Sequence, residues 1–179
     1  MTILITNCTL LKGYTSIALG SELSGGIRRV RISHCVFKQG LAAMQLKSRA
    51  GRAGYVEDLA AEDLVVGPEP LLEINNDYHY NPDPQGVVGP DGLTRFKNIR
   101  ISDVKLVSKN LMNIRGTAER PVDGLQISGV TGTCQHGSVL QNVRNVVLTG
   151  IQLTGITGPQ YFTNHVEGTG FAESAAVKP

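Results

Sequence analysis

The sequence has no tryptophan, and only 5% of its residues are aromatic. Recognition that depends on rings stacked against neutral sugars or bases is therefore short of material. Three cysteines, an odd number with no CxxC, exclude a disulfide framework and a zinc ribbon. Charged residues make up 18% of the chain, with a net charge of +2 and no Lys/Arg block. A protein that lives on phosphate contacts to nucleic acid is not expected. No apolar run approaches the roughly 20 residues of a membrane span. Met1-Thr2-Ile3-Leu4 lacks the basic start and apolar stretch of a secretory signal. Neither nucleic acid nor a membrane is expected as a partner, and localisation is left open. Glycine, by contrast, is plentiful: 21 of 179 residues, in a chain that is 41% apolar. That mixture suits short strands with frequent turns.

A nine-residue pattern recurs along the chain. Written with Φ for an apolar residue, it reads x-Φ-x-Φ-x-x-Φ-x-Φ. It fits Ile3, Ile5, Cys8 and Leu10, then Val30, Ile32, Cys35 and Phe37. It fits Leu59, Ala61, Leu64 and Val66, and Ile99, Ile101, Val104 and Leu106. Leu125, Ile127, Val130 and Gly132 follow, then Val146, Leu148, Ile151 and Leu153. Successive copies are 27, 29, 40, 26 and 21 residues apart. A second apolar pair trails each start: Ile17/Leu19, Met44/Leu46, Leu72/Ile74 and Met112/Ile114, with Val139 in the fifth copy. Alternation with period two puts these side chains on one face of a strand.

One coil of two or three short strands cannot bury its own inward face, but stacked coils share a continuous core. The pattern predicts an all-β parallel β-helix of about six coils over residues 1–155, with 156–179 as a C-terminal tail or cap. A β-sandwich also has short strands at regular spacing, but it does not repeat one template at a near-fixed coil length. The long coil holds an insertion, Asp77 to Thr94, rich in Asn, Asp, Pro and Gly, that reads as a surface loop. Asp58, Asp63 and Asp103 fall in gaps and turns, where Asp is favoured for local backbone bonding. Cys8 and Cys35 share a template position and are expected as small reduced hydrophobes. His34, His79, His136 and His165 are scattered over different coils, so no metal site and no cofactor are expected.

Three segments carry a family resemblance. Gly13-Tyr14-Thr15-Ser16-Ile17-Ala18-Leu19-Gly20-Ser21-Glu22 resembles the GHGxSIGSE segment of polygalacturonases, glycoside hydrolase family 28. The segment from Leu41 through Met44-Gln45-Leu46-Lys47-Ser48-Arg49 to Gly54 resembles that family's GLRIKSRRGRGG segment. Leu72-Glu73-Ile74-Asn75-Asn76-Asp77-Tyr78 resembles the strand that presents its substrate-contacting tyrosine. The resemblance implies a right-handed parallel β-helix and hydrolysis of pectin-type galacturonan with inversion. Inversion needs one carboxyl to protonate the leaving oxygen and a second to activate water. The family draws these from an Asn-Thr-Asp segment and an Asp-Asp pair, both upstream of its Gly-His-Gly motif. This chain is expected to match the C-terminal half of a family member, with no room for those motifs, and no Asp-Asp pair occurs in it. Family members are commonly exported, although no export signal is visible here.

By resemblance, the substrate-binding set is Tyr14, Gln45, Lys47, Arg49, Arg52 and Tyr78. Tyr14 stands where the family has histidine, and Gln45 where it has arginine. Lys47 supplies a point charge for a uronic-acid carboxylate, with Arg49 and Arg52 nearby. Gln45 can hydrogen-bond a sugar hydroxyl but cannot grip a carboxylate in bidentate fashion. Tyr78 offers a ring to a sugar face. Glu73, Glu22 and Asp77 are the nearest carboxylates, and Glu73 is expected to pair with Lys47 across neighbouring coils. No catalytic residue is assigned. The expected partner is an acidic, galacturonan-like polysaccharide. The strand Thr2–Leu10 is expected to be an open edge that drives homo-oligomerisation, end to end or through a lateral face. The function expected is that of a polygalacturonase-like scaffold acting on or binding pectin-type polysaccharide. A non-catalytic carbohydrate-binding β-helix, or an inactive truncated fragment, is the alternative.

Overall fold

Thirteen strands make up nearly all of the regular structure in the computed structural model, which describes residues 2–76, 82–171 and 174–176. Three short strands, β1 (Ile3–Thr6), β2 (Thr9–Leu10) and β3 (Ile17–Leu19), are followed by alternating long and short ones: β4 (Ile27–Phe37), β5 (Met44–Lys47), β6 (Tyr55–Val66) and β7 (Leu72–Asn75). After a 3-10 turn at Pro90–Gly92 come β8 (Arg95–Ser108), β9 (Met112–Arg115), β10 (Val122–Cys134), β11 (Ser138–Thr154), β12 (Tyr161–Thr169) and β13 (Ser174–Ala176). Every pairing among them is parallel. The strand order β1-β4-β6-β8-β10-β11-β9-β7-β5-β3 traces one sheet with two limbs, closing through β11. This is the expected parallel β-helix.

The inter-coil register is the sequence repeat. Ile3 lies beside Val30, Val30 beside Leu59, Leu59 beside Ile99, Ile99 beside Leu125, and Leu125 beside Val146. Val30, Leu59, Ile99, Leu125 and Val146 are all buried and form one aliphatic column. Met44, Leu72 and Met112, and Leu46, Ile74, Ile114 and Leu140, make further columns on the opposite limb. Each such side chain removed from water stabilises the fold by about 1.5–3 kcal/mol. None could do so in a lone coil.

The two-residue gap of the repeat also has a backbone meaning. Its second residue, Asn7, His34, Asp63, Asp103, Gly129 or Gly150, has positive φ in all six copies. Five residues earlier a second column turns the same way at Arg29, Asp58, Asn98, Gly124 and Asn145. Left-handed backbone is open to Gly and tolerated by Asn and Asp, which explains every member of both columns except His34 and Arg29. Asn98 Nδ2 donates to Asp58 Oδ1 at 3.0 Å, tying one rung of the second column to the next. The long strands are thus bent ribbons, folded twice to turn the corners of the coil.

Two details differ from the sequence pattern. Val139 was assigned to the inward column, but Leu140 pairs with Ile114 and is buried, while Val139 pairs with the outward Asn113. Ser138 takes the place next to Met112, and its Oγ accepts the Met112 N–H at 3.3 Å. A coil of 21 residues is the shortest here, and a one-residue offset keeps the larger side chain inside. The segment from 156 onward contributes β12, which stacks in parallel on β11, and β13, which stacks on β12. Cys8, Cys35 and Cys134 are free thiols, and burial pushes that of Cys134 up to about 11.

Candidate functional site

The limb formed by β3, β5, β7, β9 and β11 turns every second residue outward. Two outward columns result. One runs Ala18, Gln45, Glu73, Asn113 and Val139; the other runs Lys47, Asn75, Arg115 and Gln141. Adjacent rungs are about 4.8 Å apart. Both Gln45 and Lys47 therefore sit on the lateral face that alternation assigns to them.

Facing outward does not make a residue accessible. Gln45 is only 4% exposed. Its Oε1 accepts from Thr15 Oγ1 at 3.2 Å, and its Nε2 donates to Glu73 Oε2 at 3.2 Å. Thr15, Gln45 and Glu73 thus form a hydrogen-bonded ladder over three coils. Glu73, half-buried, has its carboxyl pKa raised by loss of solvent; the Gln45 bond opposes this, and the Glu69 charge adds to it. Lys47 is partly exposed at the end of β5. Gly20, at φ +111°, brings the end of β3 against the Lys47 carbonyl, where any Cβ would collide. Tyr14 is 68% exposed on the loop before β3, and its carbonyl accepts the Leu41 N–H at 2.6 Å.

Arg49 and Arg52 lie in the loop after β5 and are engaged within the protein. Arg49 Nη2 is 3.6 Å from Asp83 Oδ2 and Arg52 Nη1 is 3.3 Å from it. Arg52 Nη2 also reaches Glu22 Oε2 at 2.8 Å. The Asp83 carboxyl is held below its ordinary pKa, first by the Gln85 N–H at 3.1 Å and then, against some desolvation, by the two arginines. Tyr78, at the head of the insertion, lies outside the described residues.

Three buried polar residues that the sequence reading passed over hold this region together. Asn76 and Thr94 bracket the insertion, and Ser48 follows Lys47; all three are fully buried. Asn76 Nδ2 donates to the Thr94 carbonyl at 2.9 Å, and Thr94 Oγ1 donates to the Ala53 carbonyl and accepts from Ser48 Oγ at 2.6 Å. Polar residues at both ends of an insertion were the available signal. The described part of the insertion, residues 82–94, folds back over the 49–54 loop. Asp83 N donates to Ala50 O and Val87 N to Gly51 O, both at 3.0 Å, and Ala53 N donates to Gly92 O at 2.9 Å. Arg120 secures it from the next coil through Pro90 O at 2.8 Å and Asp91 Oδ1 at 3.3 Å. A cavity of about 520 Å³ lies between the insertion and this loop, walled by Pro82, Val87 and Leu93.

Arg115 was also missed. It is exposed, lies in the Lys47 column two rungs on, and its Nη1 approaches Gln141 Oε1 at 3.5 Å. Its offset from Met112 equals that of Lys47 from Met44, which is the signal that would have found it. Among the described residues no group of three His, Cys, Asp or Glu side chains could hold a metal ion. No helix among them is long and apolar enough to cross a membrane.

No protein-family profile matches the chain. A probable polygalacturonase of Vitis vinifera is 27% identical over 137 residues, 72% of this chain but 26% of that protein. A solved structure, the family 28 exopolygalacturonase of Yersinia enterocolitica, superposes with a TM-score of 0.54 and 11% identity, covering 96% of this chain and 30% of that one. The chain thus spans about a quarter to a third of the length of these relatives. What it shares with them over that length is a polygalacturonase-like parallel β-helix fold.

Proposed function

We propose that this chain is a polygalacturonase-like scaffold that acts on or holds pectin-type acidic polysaccharide, laid along the outward face of β3, β5, β7 and β9. The observation that carries the reading is the column Lys47, Asn75, Arg115: two cations two rungs apart, about 10 Å, with an amide between them. A polyanionic chain running along the helix axis meets a positive group at each end of that interval. Lys47 pairs with a uronate carboxylate as a point charge, and Arg115 offers a planar fork. Tyr14 lends an exposed ring at the start of the face. Arg49 and Arg52 brace the loop beside the face through Asp83 and Glu22, whose carboxylates offset their charge. Gln45 acts through its hold on Glu73.

Inverting hydrolysis asks for two carboxyls roughly 6.5–9.5 Å apart. On this face Glu73 is the carboxyl whose raised pKa suits an acid, and it favours turnover as a second reading. The deciding experiment titrates trigalacturonate and polygalacturonate by calorimetry while reducing ends are assayed in parallel. Binding that falls roughly tenfold in Lys47→Ala supports the reading. Reducing ends that vanish in Glu73→Gln identify turnover, and binding without them identifies a carbohydrate-binding β-helix. Absence of binding to either glycan refutes the proposal.

A further inference from the structure

The other limb of the sheet carries a groove that the reading above does not use. On β4, β6, β8 and β10 the outward residues form two rows along the axis. One row runs Leu4, Arg31, Ala60, Arg100 and Gln126. The other runs Thr6, Ser33, Glu62, Ser102 and Ser128. Two adjoining hollows of about 380 and 200 Å³ lie over these rows and share Arg31, Ala60 and Arg100. Ala60 is the reason for the depression: a methyl group stands between two long side chains. Arg29 lines the smaller hollow from the left-handed corner preceding Arg31.

The ten arginines of this protein divide into those that sit against carboxylates and those that do not. Arg49, Arg52, Arg95, Arg120 and Arg144 all sit against carboxylates. Among the described residues the side chains of Arg29, Arg31 and Arg100 make no ion pair and no hydrogen bond, and all three residues are exposed. The acids nearby are Glu62, in the hydroxyl row, and Asp58, whose Oδ1 already accepts from Asn98. Cations in one row and hydroxyls with one carboxylate in the other make a two-sided template. A sugar-acid polymer carries both matching groups along its length, carboxylates and hydroxyls.

We propose that this groove is a second binding site for a uronate polymer, separate from the Lys47 face, in which Arg31 and Arg100 take two carboxylates and Ser33, Ser102, Ser128 and Glu62 take hydroxyls. The assignment rests on the acidic-polysaccharide reading above and adds a second point of attachment on another face. Two sites on one particle make the second contact intramolecular for a long chain and give nothing to a short one.

The test compares wild type, Arg31→Gln/Arg100→Gln, Ala60→Glu and Lys47→Ala for calorimetric binding of trigalacturonate, long polygalacturonate and dextran sulfate. Both groove variants are expected to lose roughly tenfold or more in affinity for polygalacturonate while keeping wild-type melting temperature and trigalacturonate affinity. Ala60→Glu fills the groove with a carboxylate and leaves both arginines in place, so it reads the site if the double variant folds poorly. Unchanged polygalacturonate binding in the groove variants overturns this inference and leaves the Lys47 reading standing. No polygalacturonate binding by wild type overturns both. Equal binding of dextran sulfate, lost equally in the variants, overturns the uronate assignment.

Discussion

Gln45 gives the sharpest handle on the site, because its amide is nearly sealed from water and joins two partners. Gln45→Met keeps the length of the side chain and removes both bonds, to Thr15 Oγ1 and to Glu73 Oε2. A bond to a charged acceptor contributes about 1.5–3 kcal/mol and a neutral one about 0.5–1.5. Both distances are 3.2 Å, and Glu73 is only half-buried, so water replaces part of the loss. The expected cost near neutral pH is about 1–2 kcal/mol, or a fall of roughly 2–8 °C in melting temperature for a chain of this size. The cost depends on pH. Burial raises the folded pKa of Glu73 above its ordinary 4.5, so the native state holds that proton more tightly than the unfolded chain. Its destabilising effect is nil below the ordinary value and grows as pH rises through the folded one. Without Gln45 the folded value climbs further. Thermal melts near pH 7 and pH 3.5 should therefore show a larger loss at neutral pH. Glu73→Gln should be stabilising at neutral pH and close to silent in acid. Equal losses for Gln45→Met at both pH values would refute the account of the ladder.

The left-handed corner at Asp103, with φ of 56°, predicts that Asp103→Val costs about 1–2 kcal/mol in urea unfolding, whereas Asp103→Gly is neutral or stabilising.

The repeat and its corners were legible because each leaves a mark in one dimension; the parallel stacking of β12 and β13 beyond residue 155 was not, because those strands leave the template. Asn7, Asp63 and Asp103 occupy the same slot of a repeat, and that slot needs backbone few residues adopt. Val139 was misplaced because a single apolar residue, with no alternating partner, leaves its register undetermined. The site was harder to read. Alternation assigned Gln45 and Lys47 to one face but gave no hint that one is sealed and the other partly open. Nothing near Arg49 and Arg52 in the chain marks them as engaged, because their partner Asp83 folds back from more than 30 residues on.

The sequence by itself determined the coil. Its period, inward columns and corners follow from local alternation and backbone preference, which act between residues close along the chain. Tertiary structure alone decided which outward side chains remain usable. That depends on what the next coil and the insertion place over them: Thr15 and Glu73 on Gln45, Asp83 on the two arginines, and only a methyl group between Arg31 and Arg100.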